Sequence, residues 1–310
     1  MKIQESQPLW TPTVEQIETA TLTAFLKKVN LSSYQALHQW SISHVEDFWR
    51  EVWDFCGIIA SQKGKRDLEL PQGIFKPRFF QDARLNYAEN LLRPRSAEQE
   101  ALVFWGEDKV KRKFSYGELC SQVAALAAAL KAMGIQQGDH AAGYVPNTPE
   151  TIIAMLAVTS LGALWSSCSP DFGVNGVLDR FGQTKPKILF MADGYYYKGK
   201  WFDCLEKIPS LFKGLPALQQ VIVFSYESKP LSLSFQKGVQ TWEETLKPFQ
   251  QINEIDFAQV PFNHPLFILY TSGTTGVPKC IVHSTGGVLL QHLKDHQLHS
   301  DIKPRDRVFY

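Results

Sequence analysis

The sequence predicts an α/β protein whose core is a layered, mostly parallel sheet wound on both faces by helices. Three observations carry that expectation. From about residue 99, short apolar runs of strand length alternate with longer segments of helical spacing. Hydrophobic residues make up 44% of the 310 and charged residues 20%, enough for a sizeable core and too little charge for wholesale disorder. One apolar run, PLFILY, ends abruptly in TSGTTGVPK, which packs four hydroxyls, two glycines, a proline and a lysine into nine positions. A buried strand that gives way to a small, hydroxyl-rich loop is where α/β proteins hold phosphates.

The first 98 residues differ in texture from the rest. SSYQALHQWSISHVEDFWREVWDFCGI sets Trp40, Phe48, Trp49, Trp53 and Phe55 at mixed helical spacings, which predicts amphipathic helices presenting their rings to the main domain. QKGKRDLEL and LRPRSAEQE read as exposed connections. Ser115 and Glu118 then form a capping-box pattern that opens an Ala- and Leu-rich helix, with Gly134 at its end. HAAGYVP predicts a strand, Asn147 and Pro149 start a helix that runs to Gly162, and ALWSSCS is a second strand. GVNGVLDRFGQTKP follows as helix, KILFM as strand, WFDCLEKIPSLF as helix and LQQVIVFSY as strand. The phosphate-type loop comes after all of these, past the carboxyl end of PLFILY.

Composition excludes several classes. Thirty-two basic residues against 31 acidic leave a net charge of +1, without the basic excess of a nucleic-acid binder. Five cysteines (Cys56, Cys120, Cys168, Cys204, Cys280) are scattered with no CxxC pair, the usage of reduced thiols in a cytoplasmic protein. The N-terminus carries no apolar signal-type run. Residues 151–170 are uncharged, but Thr, Ser and Gly interrupt them short of the roughly 20 apolar residues of a membrane span. A buried helix followed by a buried strand fits them better, so no membrane partner is expected.

The loop's chemistry suits a polyphosphate. Gly273 and Gly276 allow positive φ and close backbone approach to an anion. Thr271, Ser272, Thr274 and Thr275 supply hydroxyl donors, Lys279 supplies positive charge, and Pro278 restricts where that charge sits. The spacing is not that of a Walker A loop, which needs GxxxxGK followed by Ser or Thr, so a P-loop kinase is disfavoured. From composition alone, a solvated Ser/Thr/Gly connection remains the alternative. His292, His296 and His299 share one helix face at i, i+4, i+7, but no HExxH-type carboxylate accompanies them, and no metal site is assigned. His283 lies just past the loop, where it either reaches a ligand or packs. Asp171, in SPDFG, reads as a turn or cap residue and stays outside the site.

YTSGTTGVPK closely resembles the phosphate loop of the adenylate-forming enzymes, the family of acyl-CoA synthetases, luciferases and peptide-synthetase adenylation domains. FFQDARLNYAENLL, FSYGELCSQVAALAAAL and VPNTPETIIAMLAVTSLGALW resemble segments of its short-chain acyl-CoA synthetases. WSSCSPDFGVNGVLDRF and PKCIVHSTGGVLLQHLKDHQLHSD are similar to the branch that activates acetoacetate, including Cys280 where acetate-activating enzymes usually carry glycine. The resemblance covers nearly the whole chain and is weakest over the first 30 residues.

The resemblance implies the large N-terminal domain of that family, truncated before its small C-terminal domain. Residues 1–98 would be a helical cap region and 99–310 the first part of the AMP-binding domain. It implies an ATP-dependent ligation of acetoacetate to coenzyme A through an acyl-adenylate, with magnesium accompanying ATP. Acetyl- or propionyl-type ligases and a non-catalytic nucleotide-binding module are the alternatives. Thr271 to Gly276 and Lys279 would hold the ATP phosphates. In ADGYYYKGK, Lys198 and Lys200 would take the places of arginines near the 3′-phosphate of coenzyme A, supplying charge without the bidentate geometry of arginine; a solvated basic turn is the plainer reading. The main catalytic residues are expected beyond Tyr310, so these 310 residues alone are expected to be inactive.

Overall fold

The computed structural model describes residues 9–70, 77–231, 233, 237–271 and 276–309. Helices α1 (Val14–Thr19), α2 (Thr21–Lys28), α3 (Tyr34–Ser43) and α4 (Val45–Cys56) come first. Short strands β1 (Ala60–Gln62), β2 (Leu68–Glu69), β3 (Arg78–Phe79) and β4 (Arg84–Leu85) precede α5 (Tyr87–Leu91) and the hairpin β5 (Glu100–Gly106), β6 (Val110–Ser115). Then α6 (Tyr116–Ala132), β7 (His140–Tyr144), α7 (Pro149–Ser160), β8 (Leu164–Cys168), α8 (Val174–Thr184) and β9 (Ile188–Ala192) alternate. A second hairpin, β10 (Gly194–Tyr197) and β11 (Lys200–Asp203), leads to α9 (Ile208–Gly214) and β12 (Gln220–Phe224). The order closes with β13 (Val239–Thr241), α10 (Trp242–Leu246), β14 (Val260–Pro261), β15 (Pro265–Tyr270), β16 (Cys280–Ser284) and α11 (Thr285–Lys294).

The larger of two compact units holds Ile59–Gly64 and Gln81–Gly287 and is built on a seven-stranded sheet ordered β13-β12-β9-β7-β8-β15-β16. The pairings from β13 to β15 are all parallel, and only β16 runs antiparallel to its neighbour. Parallel strands need cover on both faces, which is why HAAGY and ILFMA are buried along their whole length. Leu126, Leu130 and Ile153 of α6 and α7 cover Trp165 and Phe190 on one face. Val177, Phe181 and Leu211 of α8 and α9 cover Leu189, Met191 and Val223 on the other. The expected doubly wound α/β architecture is present.

Local signals hold where they are strong. Ser115 Oγ accepts from the Glu118 N–H (3.2 Å) and Glu118 Oε2 accepts from the Ser115 N–H (2.7 Å), closing the capping box of α6. The reading of WFDCLEKIPSLF as one helix is corrected, because Trp201–Asp203 belong to β11 and the α-helix starts only at Ile208. Lys198 and Gly199, with φ of 50° and 74°, form a two-residue turn matched to the twist of a hairpin. Cross-strand aromatic pairs then outweigh helical spacing, with Tyr195 stacked on Phe202 at 5.4 Å and Tyr196 edge-on to Trp201 at 5.2 Å. QKGKRDLEL is also more ordered than a connection, since Leu68 and Glu69 pair with Phe79 and Arg78.

The smaller unit gathers the described residues of Met1–Ile58, Lys65–Phe80 and Val288–Tyr310. Its core is the aromatic cluster. The fully buried Phe25 meets Phe55 at 5.1 Å and Phe48 at 6.3 Å, and Trp53 lies 4.6 Å from Phe80. The rings singled out in the sequence thus pack on one another within this unit. Asp301 closes it by accepting from the Thr21 N–H (2.8 Å) and hydroxyl (2.7 Å). Among the described residues no helix is long and apolar enough to cross a membrane.

One ion pair joins the β5–β6 hairpin to the helical layer. Arg112 of β6 grips the carboxylate of Glu150 in the first turn of α7 with both terminal nitrogens, Nη2 to Oε2 at 2.9 Å, and both side chains are largely out of solvent. Glu150→Ala leaves a buried guanidinium without its partner and is expected to cost about 3–5 kcal/mol. Replacing both members together (Arg112→Met, Glu150→Leu) is expected to cost far less. Urea denaturation of the two variants checks this, and equal losses would show that the charge pairing is not what matters.

Candidate functional site

The loop between β15 and β16 is the turn of an antiparallel hairpin. Tyr270 pairs with Cys280, and the Thr271 N–H donates to the Lys279 carbonyl oxygen at 3.0 Å, which closes the stems. Because β15 runs parallel to β8, the loop lies at the carboxyl edge of the parallel strands, the edge where such sheets take ligands. Gly276 has φ of 133°, a conformation that disfavours any side chain, and nothing described lies near the place a Cβ would occupy. Val277 is 61% exposed, and Lys279 is exposed as well. Ser272, Gly273, Thr274 and Thr275 lie outside the described residues.

Below this loop is a half-buried ring of hydrogen bonds. His140 Nδ1 lies 3.1 Å from the Thr184 carbonyl oxygen, and His140 Nε2 lies 2.8 Å from Ser166 Oγ. The Tyr270 hydroxyl donates to Ser166 Oγ at 3.1 Å and sits 3.1 Å from Thr184 Oγ1. One consistent set of protons satisfies all four contacts. The Nδ1–H of a neutral imidazole donates to the Thr184 carbonyl, Ser166 donates to Nε2, Tyr270 to Ser166, and Thr184 to Tyr270. Burial lowers the imidazole pKa from 6.5 to about 4, against the opposing hydrogen bond to Thr184, so the ring is neutral when folded. Sequence reasoning did not find these residues. The one signal was that Tyr270 and His140 are the polar members of otherwise apolar strands.

Other carboxyl-edge segments are also pinned. Lys207 donates to the Tyr144 hydroxyl (2.7 Å) and to the Pro170 carbonyl (3.2 Å), and the Tyr144 hydroxyl is itself 2.7 Å from that carbonyl. Burial raises the Tyr144 phenol above its ordinary range, so it stays protonated and able to donate. Asp171 lies in the turn they hold. The β10–β11 hairpin leaves β9 at Asp193, whose Oδ1 accepts from the Tyr226 N–H at 2.8 Å. Lys198 sits in the turn with its ammonium 5.4 Å from the Tyr197 ring centre, and Lys200 is paired opposite Tyr197. Both lysines are exposed. β9 is three strand spacings from β15, roughly 14 Å, so the two lysines and the 271–279 loop sit on separate elements of one edge.

His283 lies on β16 opposite Phe267. His292, His296 and His299 are exposed, with the first two rings stacked at 5.8 Å. Beyond Lys294 the α-helix gives way to a π-helical turn, Asp295–His299, so the three do not share the regular face their spacing suggested. Among the described residues no group of three or more His, Cys, Asp or Glu side chains could hold a metal ion.

Residues 93–310 match the family model of the AMP-binding enzymes, and residues 34–91 match that of the acetyl-coenzyme A synthetase N-terminus. The chain belongs to the AMP-binding enzyme family. Within it, the chain is 44% identical over 314 residues to acetoacetyl-coenzyme A synthetase of Rhizobium meliloti (strain 1021), covering 99% of this chain and 48% of that one. It is 42% identical over 320 residues to acetoacetyl-CoA synthetase of Danio rerio, covering 100% and 48%. Its fold matches the solved acetoacetyl-CoA synthetase from Streptomyces lividans with a TM-score of 0.91 and 39% identity, over 98% of this chain and 47% of that one. The chain spans about half the length of the curated relatives it matches.

The neutral imidazole sets an acid limit on stability. The unfolded chain takes up the proton near pH 6.5 and the folded protein only near 4, so His140 stabilises the fold fully above pH 6.5. That stabilisation is lost as pH falls from 6.5 to 4 and amounts to about 3 kcal/mol. In urea unfolding across this window, His140→Gln is expected to flatten the loss by that amount. A slope equal to the parent's would mean that His140 does not titrate as a buried group.

Proposed function

We infer that the protein ligates acetoacetate to coenzyme A at the expense of ATP, through an acetoacetyl-adenylate, releasing pyrophosphate and AMP. The observation that carries the reading is its similarity, along 98–100% of its length, to acetoacetyl-CoA synthetases, together with a hairpin loop at the carboxyl edge of the sheet. In the first stage the acetoacetate carboxylate attacks the α-phosphorus of MgATP, and negative charge gathers on the departing pyrophosphate. The magnesium arrives with ATP as part of the substrate. Thr271, Ser272, Gly273, Thr274, Thr275 and Gly276 offer N–H and hydroxyl donors, and Lys279 offers charge, to the β- and γ-phosphates. In the second stage the thiol of coenzyme A attacks the mixed anhydride and AMP leaves. Lys198 and Lys200 meet the 3′-phosphate of coenzyme A on this reading. Residues 1–98 act as the cap and 99–310 as the first part of the adenylation domain. The scattered thiols fit work in the cytoplasm.

The test is ATP–pyrophosphate exchange by the full-length protein that carries these residues, with acetoacetate, acetate and propionate supplied in turn. Exchange that depends on acetoacetate supports the reading, and exchange with acetate alone replaces the substrate. Lys279→Ala is expected to slow exchange by about a hundredfold while sparing thioester formation from presynthesised acyl-adenylate. Unchanged exchange would take the lysine out of the mechanism.

For the second substrate, Lys198→Glu with Lys200→Glu is expected to raise KM for coenzyme A and leave exchange intact. A double variant that still prefers coenzyme A over its 3′-dephospho form as strongly as the parent removes these residues from that role.

A further inference from the structure

Among the described residues of the 271–279 loop, Gly276, Val277 and Lys279 have little packing around them. Gly276 stands in open space among the described residues, and Val277 and Lys279 face solvent. Both stems of the loop are tied to the last turn of one helix. On the incoming side, the Tyr270 hydroxyl sits 3.1 Å from Thr184 Oγ1 and donates to Ser166 Oγ. On the outgoing side, Gln183 Nε2 donates to the Pro278 carbonyl at 2.9 Å. The same amide donates its other hydrogen to the Asp179 carbonyl one turn back, which orients it toward the loop. The helix end is itself secured, because the Thr184 carbonyl, which has no intrahelical donor to meet, receives His140. Lys185 then turns the chain away at φ of 52°.

We propose that Tyr270, Thr184 and Gln183, backed by Ser166 and His140, are positioning residues that hold both stems of the loop in the conformation that receives the ATP polyphosphate. The proposal rests on the functional reading above. It assigns work to the end of α8, through its contacts with the loop's two stems. The adjacent pair Gln183–Thr184 acts as a two-pronged latch, one prong on each stem, while the half-buried ring keeps the latch from shifting along the sheet. The half-buried prong carries more weight than the solvent-exposed one, since a hydroxyl partly shielded from water loses more without its partner than a group that water can satisfy.

The test separates positioning from plain stabilisation. In the full-length protein, Tyr270→Phe and Thr184→Val are expected to weaken ATP binding, read by isothermal titration, about fivefold, and Gln183→Met about threefold. Thr184→Ser keeps the hydroxyl and is expected to bind ATP as the parent does. In the exchange assay KM for ATP rises by the same factors while KM for acetoacetate stays within about twofold. ATP affinity unchanged in all three weakened variants overturns the proposal. So does a uniform rise in both KM values that follows a fall in melting temperature, because that is the pattern of general destabilisation. A parent that binds ATP but shows no acetoacetate-dependent exchange overturns the substrate reading alone and leaves the latch standing on the titration. A parent that binds no ATP overturns both.

Discussion

Four hydrogen bonds closing a ring between His140, Ser166, Tyr270 and Thr184 join β7, β8, β15 and α8 at one place in the interior. Each is worth little by itself, but the His140 and Ser166 side chains are buried, and a partner left unmade there costs its full desolvation. Ser166 is 1% exposed and His140 7%, so neither can exchange its partner for solvent. Apolar packing alone would bring these elements together without fixing how far one slides along another. The directional contacts set that position, and with it the height at which β15 ends and its loop begins. The parallel arrangement makes the height matter, because every crossover delivers its strand's carboxyl end to the same edge.

Much of the architecture is legible because its signals are local. The Ser115–Glu118 cap, the glycine after α6 and the largely apolar runs HAAGY and ILFMA each specify their element within a few residues. The loop at 271–279 is legible for the same reason, since its residue types stand together in the chain. What escaped is assembled over distance. Ser166 lies 26 residues from His140, and Tyr270 lies 104 from Ser166, so no window of sequence contains their contact. The segment after Tyr197 misled for another reason. Its apolar spacing fits a helix, but the paired positive φ values at Lys198 and Gly199 turn it back on itself, and aromatic stacking between strands then fixes it as a hairpin. The antiparallel return of β16 had no signal beyond the turn residues themselves.

The register of β15 has a consequence for the lengths this segment can tolerate. Tyr270 must face the α8 side of the sheet, and side chains alternate faces at every residue. Inserting or deleting one residue between Phe267 and Tyr270 would turn the phenol toward the opposite layer, while two would restore the face but displace the hydroxyl by about 6.6 Å. Homologues that keep the ring should therefore vary freely in the identity of the residues before Tyr270 in this strand, within the apolar set, and hardly at all in their number. Length variation is expected to accumulate elsewhere, in the connections whose ends no buried polar contact measures.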